Sequence, residues 1–151
     1  MPGPARPWPD LRGPCRLTVA RAAYALLRLA PEILLAYVRV RRSLRRLGLR
    51  TTIATLRPPP TPPGASADEW HRTAVGLASA VGRTLAPLPA DTRCLTQSLV
   101  LSALLGRRGL PSTLVIGARP APDFSAHAWV ELEGRPLLPD GGGRYGRLLE
   151  L

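Results

Sequence analysis

The stretch from Asp91 to Asp140 constrains this chain more than any other. It begins Asp91-Thr92-Arg93-Cys94, continues through a long apolar run that closes at Gly109, and passes into a β pattern carrying Phe124-Ser125-Ala126-His127-Ala128-Trp129-Val130-Glu131. It ends on Pro139-Asp140. The order is a helix opened by a cysteine, a strand carrying a histidine, and an aspartate past the next strand. Those are the residue types that make a thiol nucleophile, its base and the acid that orients the base.

Pro89 precedes Asp91 and Thr92, either of which is a good N-cap, so Cys94 is expected in the first turn of a helix ending at Arg108-Gly109. The positive end of a helix dipole stabilises a thiolate there, and unpaired first-turn amides can bind a developing oxyanion. Gln97, one turn on, is a weaker oxyanion candidate. Taken alone, Cys94 reads equally as a small buried apolar residue beside Leu95, Leu99, Ser102 and Leu105. Thr113 to Ala118 reads as a buried strand and Ala126 to Leu132 as a second, with His127, Trp129 and Glu131 on one face and Ala126, Ala128, Val130 and Leu132 on the other. The chain has two histidines, and His71 lies on an earlier helical stretch beside Trp70, so His127 is the candidate base. Glu133-Gly134 turns the chain into a short strand, Arg135 to Leu138. Asp140 beyond it is placed to accept the second imidazole N–H, or is an ordinary turn residue before three glycines.

With 151 residues the chain suits one modest domain plus an appendage. Its net charge of +11 comes from 21 basic residues, all Arg, which favours acidic partners. Nucleic acid is not expected, and the arginines of 39–50 have no aromatic residues among them on which the bases of a single strand could stack. Two cysteines, Cys15 and Cys94, make no disulfide framework, and the amino terminus does not resemble a signal peptide, so a reducing, cytoplasmic setting is expected.

Residues 1–14 read as a proline-rich lead-in and 15–57 as a helical extension, which Pro31 should kink or divide. Its apolar positions include Leu17, Ala20, Tyr24, Leu27, Leu34, Leu35, Val38 and Leu47. Arg21, Arg28, Glu32 and Arg39 interrupt it too often for a membrane span. Whether this extension covers the core or a partner is left open by the pattern. Residues 58–64 read as a polyproline-type linker, and 65–151 as the core, opened by a helix capped at Ser66 or Asp68 and running to about Leu85.

Nucleophile, base and orienting acid follow here in the order used by papain-like and transglutaminase-like enzymes. The expected fold is therefore α+β, with the cysteine helix packed on a small antiparallel sheet and a helical extension at the amino end. Arg93-Cys94-Leu95 with Ser98-Leu99, Arg107-Arg108-Gly109, Ile116-Gly117 and the string from Phe124 to Glu131 resemble the lasso peptide leader peptidases, the transglutaminase-like B proteins. That resemblance implies a cysteine protease that removes the leader of a ribosomally made precursor, so that a separate ATP-dependent cyclase can use the freed amino group. It implies Cys94 as nucleophile, His127 as general base and acid, and Asp140 as orienting acid, with no cofactor and no metal. It also implies three partners: the precursor peptide, a separate winged-helix leader-recognition protein, and the lasso cyclase. Two other readings use the same residues differently: an acyltransferase or transglutaminase with an amine as acceptor, and a non-catalytic Arg-rich adaptor in which Cys94 is core.

Overall fold

The computed structural model describes residues 15–55, 66–87, 93–120, 124–140 and 144–151, and for 15–26, 67 and 93 it describes the backbone alone. The lead-in at 1–14, the linker at 58–64 and the N-cap candidates Asp91 and Thr92 lie outside the described residues. Among the described residues, three helices, α1 (Cys15–Thr55), α2 (Ala67–Leu85) and α3 (Arg93–Arg107), precede four strands, β1 (Thr113–Arg119), β2 (Ser125–Leu132), β3 (Arg135–Pro136) and β4 (Gly146–Glu150). The strands form one antiparallel sheet in the order β3-β2-β1-β4. This is the expected α+β fold.

Local sequence explains where the elements start and stop. Ser66 caps α2, its hydroxyl accepting from the Glu69 amide at 3.3 Å, and Asp68 and Glu69 place negative charge at the positive end of the helix. Gly109 ends α3 at φ 69°, and the Leu110 amide returns to the Leu105 carbonyl at 3.0 Å, so the chain turns directly into β1. Glu133 and Gly134 both take positive φ, the mark of the two-residue turn that matches the twist of a tight hairpin.

Pro31 does not divide α1. Helical backbone runs through it, and the break falls at Gly48 (φ 74°, ψ 175°), a conformation a residue with a side chain adopts only with strain. Pro31 sits on the exposed side, where water can satisfy the carbonyl of Leu27 that loses its helical donor. The buried stripe of α1 also differs from the expected one. Ile33, Ala36 and Val40 face the core, while Leu27, Leu34, Leu35, Val38 and Leu47 are exposed.

The core lies between α1, α2, α3 and one face of the sheet. It joins Ile33 and Val40 of α1 to Ala74, Leu77, Ala78, Val81 and Leu85 of α2, to Leu99, Leu101, Leu104 and Leu105 of α3, and to Leu114, Val130 and Leu132 of the sheet. At the far end of α3, Arg108 pairs with Glu32 of α1 through both terminal guanidinium nitrogens, at 2.7 and 3.2 Å. The carboxyl of Glu32 is held below its usual range by that bond and by the charges of Arg108 and Arg107, against a smaller opposing effect of burial. β4 was not foreseen in the sequence; it completes the sheet beside β1, and reciprocal bonds between Leu114 and Leu151 at 2.8 and 3.0 Å extend that ladder.

Candidate active site

Cys94 is the second residue of α3, half-buried and free. The thiol therefore stands at the helix start, as the capping pattern led one to expect. Because α3 turns straight into β1, and β1 is antiparallel to β2, the start of α3 lies toward the start of β2.

One hydrogen bond ties the two elements together. Ser98, one turn after Cys94, is fully buried, and its hydroxyl donates to the carbonyl of Ala128 at 3.0 Å. The reason lies in the neighbouring segment. Val130 accepts from the Leu137 amide at 2.8 Å, so its carbonyl points toward β3, and strand alternation sends the carbonyl of Ala128 the same way. The ladder with β3 stops short of Ala128, since β3 ends at Pro136 and the last bond beyond it runs from Leu137 to Val130. Ser98 supplies the missing donor and holds the helix against that open edge of β2. Cys94 and His127 each precede their partner in this link, so both lie at the same end of the domain.

His127 is half-buried, and its Nε2 lies 2.6 Å from the carbonyl oxygen of Pro139. A carbonyl only accepts, so the neutral imidazole carries its proton on Nε2 and leaves Nδ1 as the basic nitrogen. Asp140 follows Pro139, past the end of β3. It is half-buried, and its negative charge acts on Glu131 of β2. The side chain of His127 is on the face turned away from the helices, since Val130 and Leu132, of opposite parity, are the ones in the helical core.

That outer face carries groups the sequence did not single out. The His127 ring meets Trp129 in a stacked arrangement with centroids 6.0 Å apart, and Tyr145 in a tilted one at 5.2 Å. Trp129 is almost fully buried, and its indole N–H donates to Glu131 at 2.8 Å. Glu131, 5 % exposed, takes two further bonds from Arg147 of β4, at 2.9 and 3.0 Å. Burial alone would raise the carboxyl of Glu131, but the bonds from Arg147 and Trp129, with the charge of Arg147, outweigh it and hold the group below its usual range. A bulge in β4 makes this possible. The register shifts between Ile116 and Gly117, and this turns both Arg147 and Glu150 toward the outer face, where Arg147 also bonds Glu150 at 2.5 Å. The same bonds to Glu131 and Glu150 raise the pKa of Arg147. Tyr145 and Arg147 follow three consecutive glycines, and nothing in their local pattern links them to a histidine eighteen residues or more away.

Among the described residues no cluster of His, Cys, Asp and Glu is suited to a metal ion, and no helix is long and apolar enough to cross a membrane. His71 sits on α2, away from these groups in sequence and on a different element. The side chain of Cys15 lies outside the described residues. Searches of curated proteins and of solved structures return no match. The profile of the Transglutaminase-like superfamily matches residues 34–150, from within α1 to the end of β4. With a cysteine-led helix laid against an antiparallel sheet that carries histidine on a strand, the chain belongs to the transglutaminase-like superfamily, which includes cysteine proteases and acyltransferases.

Proposed function

We propose that this chain is a cysteine endopeptidase that removes the leader from a lasso peptide precursor. The observation that carries the reading is the bond between Ser98 and Ala128, which fixes the start of the cysteine helix beside the strand of the histidine. In the reaction, Cys94 gives its proton to Nδ1 of His127 and its sulfur attacks the carbonyl carbon of the last leader residue. Backbone amides at the start of α3 take the charge of the oxyanion. The C–N bond then breaks as the imidazolium protonates the departing amine, leaving the leader as a thioester on Cys94. Water that loses a proton to His127 attacks the thioester, and the leader leaves as a free acid while the thiol is restored. The Pro139 carbonyl holds the imidazole by Nε2–H, and the negative charge of Asp140 stabilises the imidazolium.

The resemblance of the string Ala126 to Glu131 to the lasso peptide leader peptidases supports a division of labour. A separate recognition protein brings the precursor, and a cyclase takes the freed amino group. The test is incubation with a precursor and its recognition protein, read by mass. Release of the leader as an acid supports the reading, and transfer of the leader to an added amine in preference to water would replace it with the acyltransferase. Cys94→Ala and His127→Ala should each abolish release while unfolding stays cooperative, because nucleophile and base act as a unit. Asp140→Asn should slow release without abolishing it. Unchanged turnover in Cys94→Ala would leave the adaptor.

A further inference from the structure

The base in this mechanism has to present one particular nitrogen to the thiol. A histidine ring has a broad, roughly two-fold preference about χ2, so a half-turn exchanges Nδ1 with a carbon at little intrinsic cost. One hydrogen bond, to the Pro139 carbonyl, opposes that half-turn. The outer face of the sheet supplies two more restraints, the rings of Trp129 and Tyr145. Both lead back to the same buried carboxylate, Trp129 by its own bond and Tyr145 through the nearby Arg147. Glu131 accepts from the Trp129 indole at 2.8 Å, and it grips Arg147, two residues after Tyr145, at 2.9 and 3.0 Å. The fit is close on the far side as well. Gly117 is paired with His127 across β1, and a Cβ there would stand 3.0 Å from the Trp129 ring.

We propose that Glu131 is a positioning residue for His127: by holding Trp129 on its own strand and the Tyr145–Arg147 segment at the start of edge strand β4, it fixes the plane of the imidazole and keeps Nδ1 toward the thiol. Glu131 does not touch substrate in this role. It rests on the assignment of His127 as base under the proposed function, and the experiment separates the two.

The measurement is the 15N spectrum of the His127 side chain, which reads the tautomer directly, together with kcat and KM for precursor cleavage. Three variants grade the restraint. Glu131→Gln keeps an oxygen for the indole and loses the charge that holds Arg147. Glu131→Leu loses both. Trp129→Phe keeps an aromatic ring and loses the N–H, and so decides the matter if a substitution at Glu131 does not fold. The wild type should show one tautomer with the proton on Nε2. Purity of that tautomer and kcat should fall together in the order wild type, Glu131→Gln, Glu131→Leu. Trp129→Phe should lose about 10- to 100-fold in kcat, with KM within about twofold. Folded variants that keep a single Nε2–H tautomer would overturn the proposal, whether or not kcat falls, because Glu131 would then be holding the sheet and not the base. If the wild type cleaves no precursor, the functional reading fails, and the tautomer series still tests the positioning.

Discussion

At the scale of single residues, the site depends on what the strands leave open. β3 ends at Pro136, short of Ala128, and the Ala128 carbonyl accepts from Ser98 instead. Gly117 has no side chain, which leaves room for Trp129, because a Cβ there would stand 2.9 Å from the Gly146 carbonyl and 3.0 Å from the indole ring. Backbone and a buried indole yield poorly, so Gly117→Ala should destabilise the domain by about 1–3 kcal/mol, read as a lower denaturant midpoint with an unchanged slope. An unchanged midpoint would mean that the outer face is loosely packed. Cys94 and His127 were legible in the sequence because a helix start and a strand parity are local properties. Pro139 was visible only as the residue before Asp140. Its carbonyl acquires a role because the chain past β3 brings it to the His127 ring, a tertiary contact that no local pattern reveals.

Among elements, legibility follows the same division. α2 and α3 were readable to within a residue or two because their caps and breakers are in the sequence: Ser66 at one start, Gly109 at one end. β4 was not, since Gly146 to Glu150 is short, exposed along its length and bulged, so it shows no clean alternation. The apolar stripe of α1 was misassigned because this helix carries apolar residues on two faces, and periodicity alone does not say which one the core takes. Two ion pairs now join elements that the sequence left separate: Glu32 of α1 with Arg108 after α3, and Glu131 of β2 with Arg147 of β4. Both carboxyls are held below the ordinary value of 4.5, so the stability they give is fully present above that pH and is lost as pH falls through their lowered values in the fold. Stability should therefore decline on the acid side of about pH 4.5. A Glu32→Gln/Glu131→Gln double variant should show a shallower decline over that range in urea titrations. Parallel curves for the two proteins would mean that neither pair contributes to acid sensitivity.

For the molecule as a whole, the open matter is what α1 does, since it has one face in the core and another in solvent. Ile33 and Ala36 are inside, Leu34, Leu35 and Val38 are outside, and on the outward side beyond them lie Arg41, Arg42, Arg45 and Arg46. If the inward face is structural, a chain starting at residue 66 loses Ile33 and Val40 at about 1.5–3 kcal/mol each and uncovers the sides of α2 and α3 against which they pack. Against a typical total of 5–15 kcal/mol, that chain should show no cooperative thermal transition. If the outward face receives the proposed recognition protein, its apolar patch followed by four cations fits a partner surface with an apolar centre and carboxylates at one side. Changes confined to that face should then separate the two roles. Leu34→Ser/Leu35→Ser and Arg42→Glu/Arg45→Glu should leave the unfolding transition within a few degrees of wild type, since surface changes usually cost under about 0.5 kcal/mol. Both should weaken co-purification with the recognition protein, and binding by the parent chain should weaken as salt shortens the screening length to about 3 Å at 1 M. Cleavage of a precursor at saturating recognition protein should survive in these variants, because the helix start that carries Cys94 is untouched. A 66–151 chain that folds and cleaves would make α1 an appendage after all, and outward-face variants that bind at full strength would leave docking to another surface.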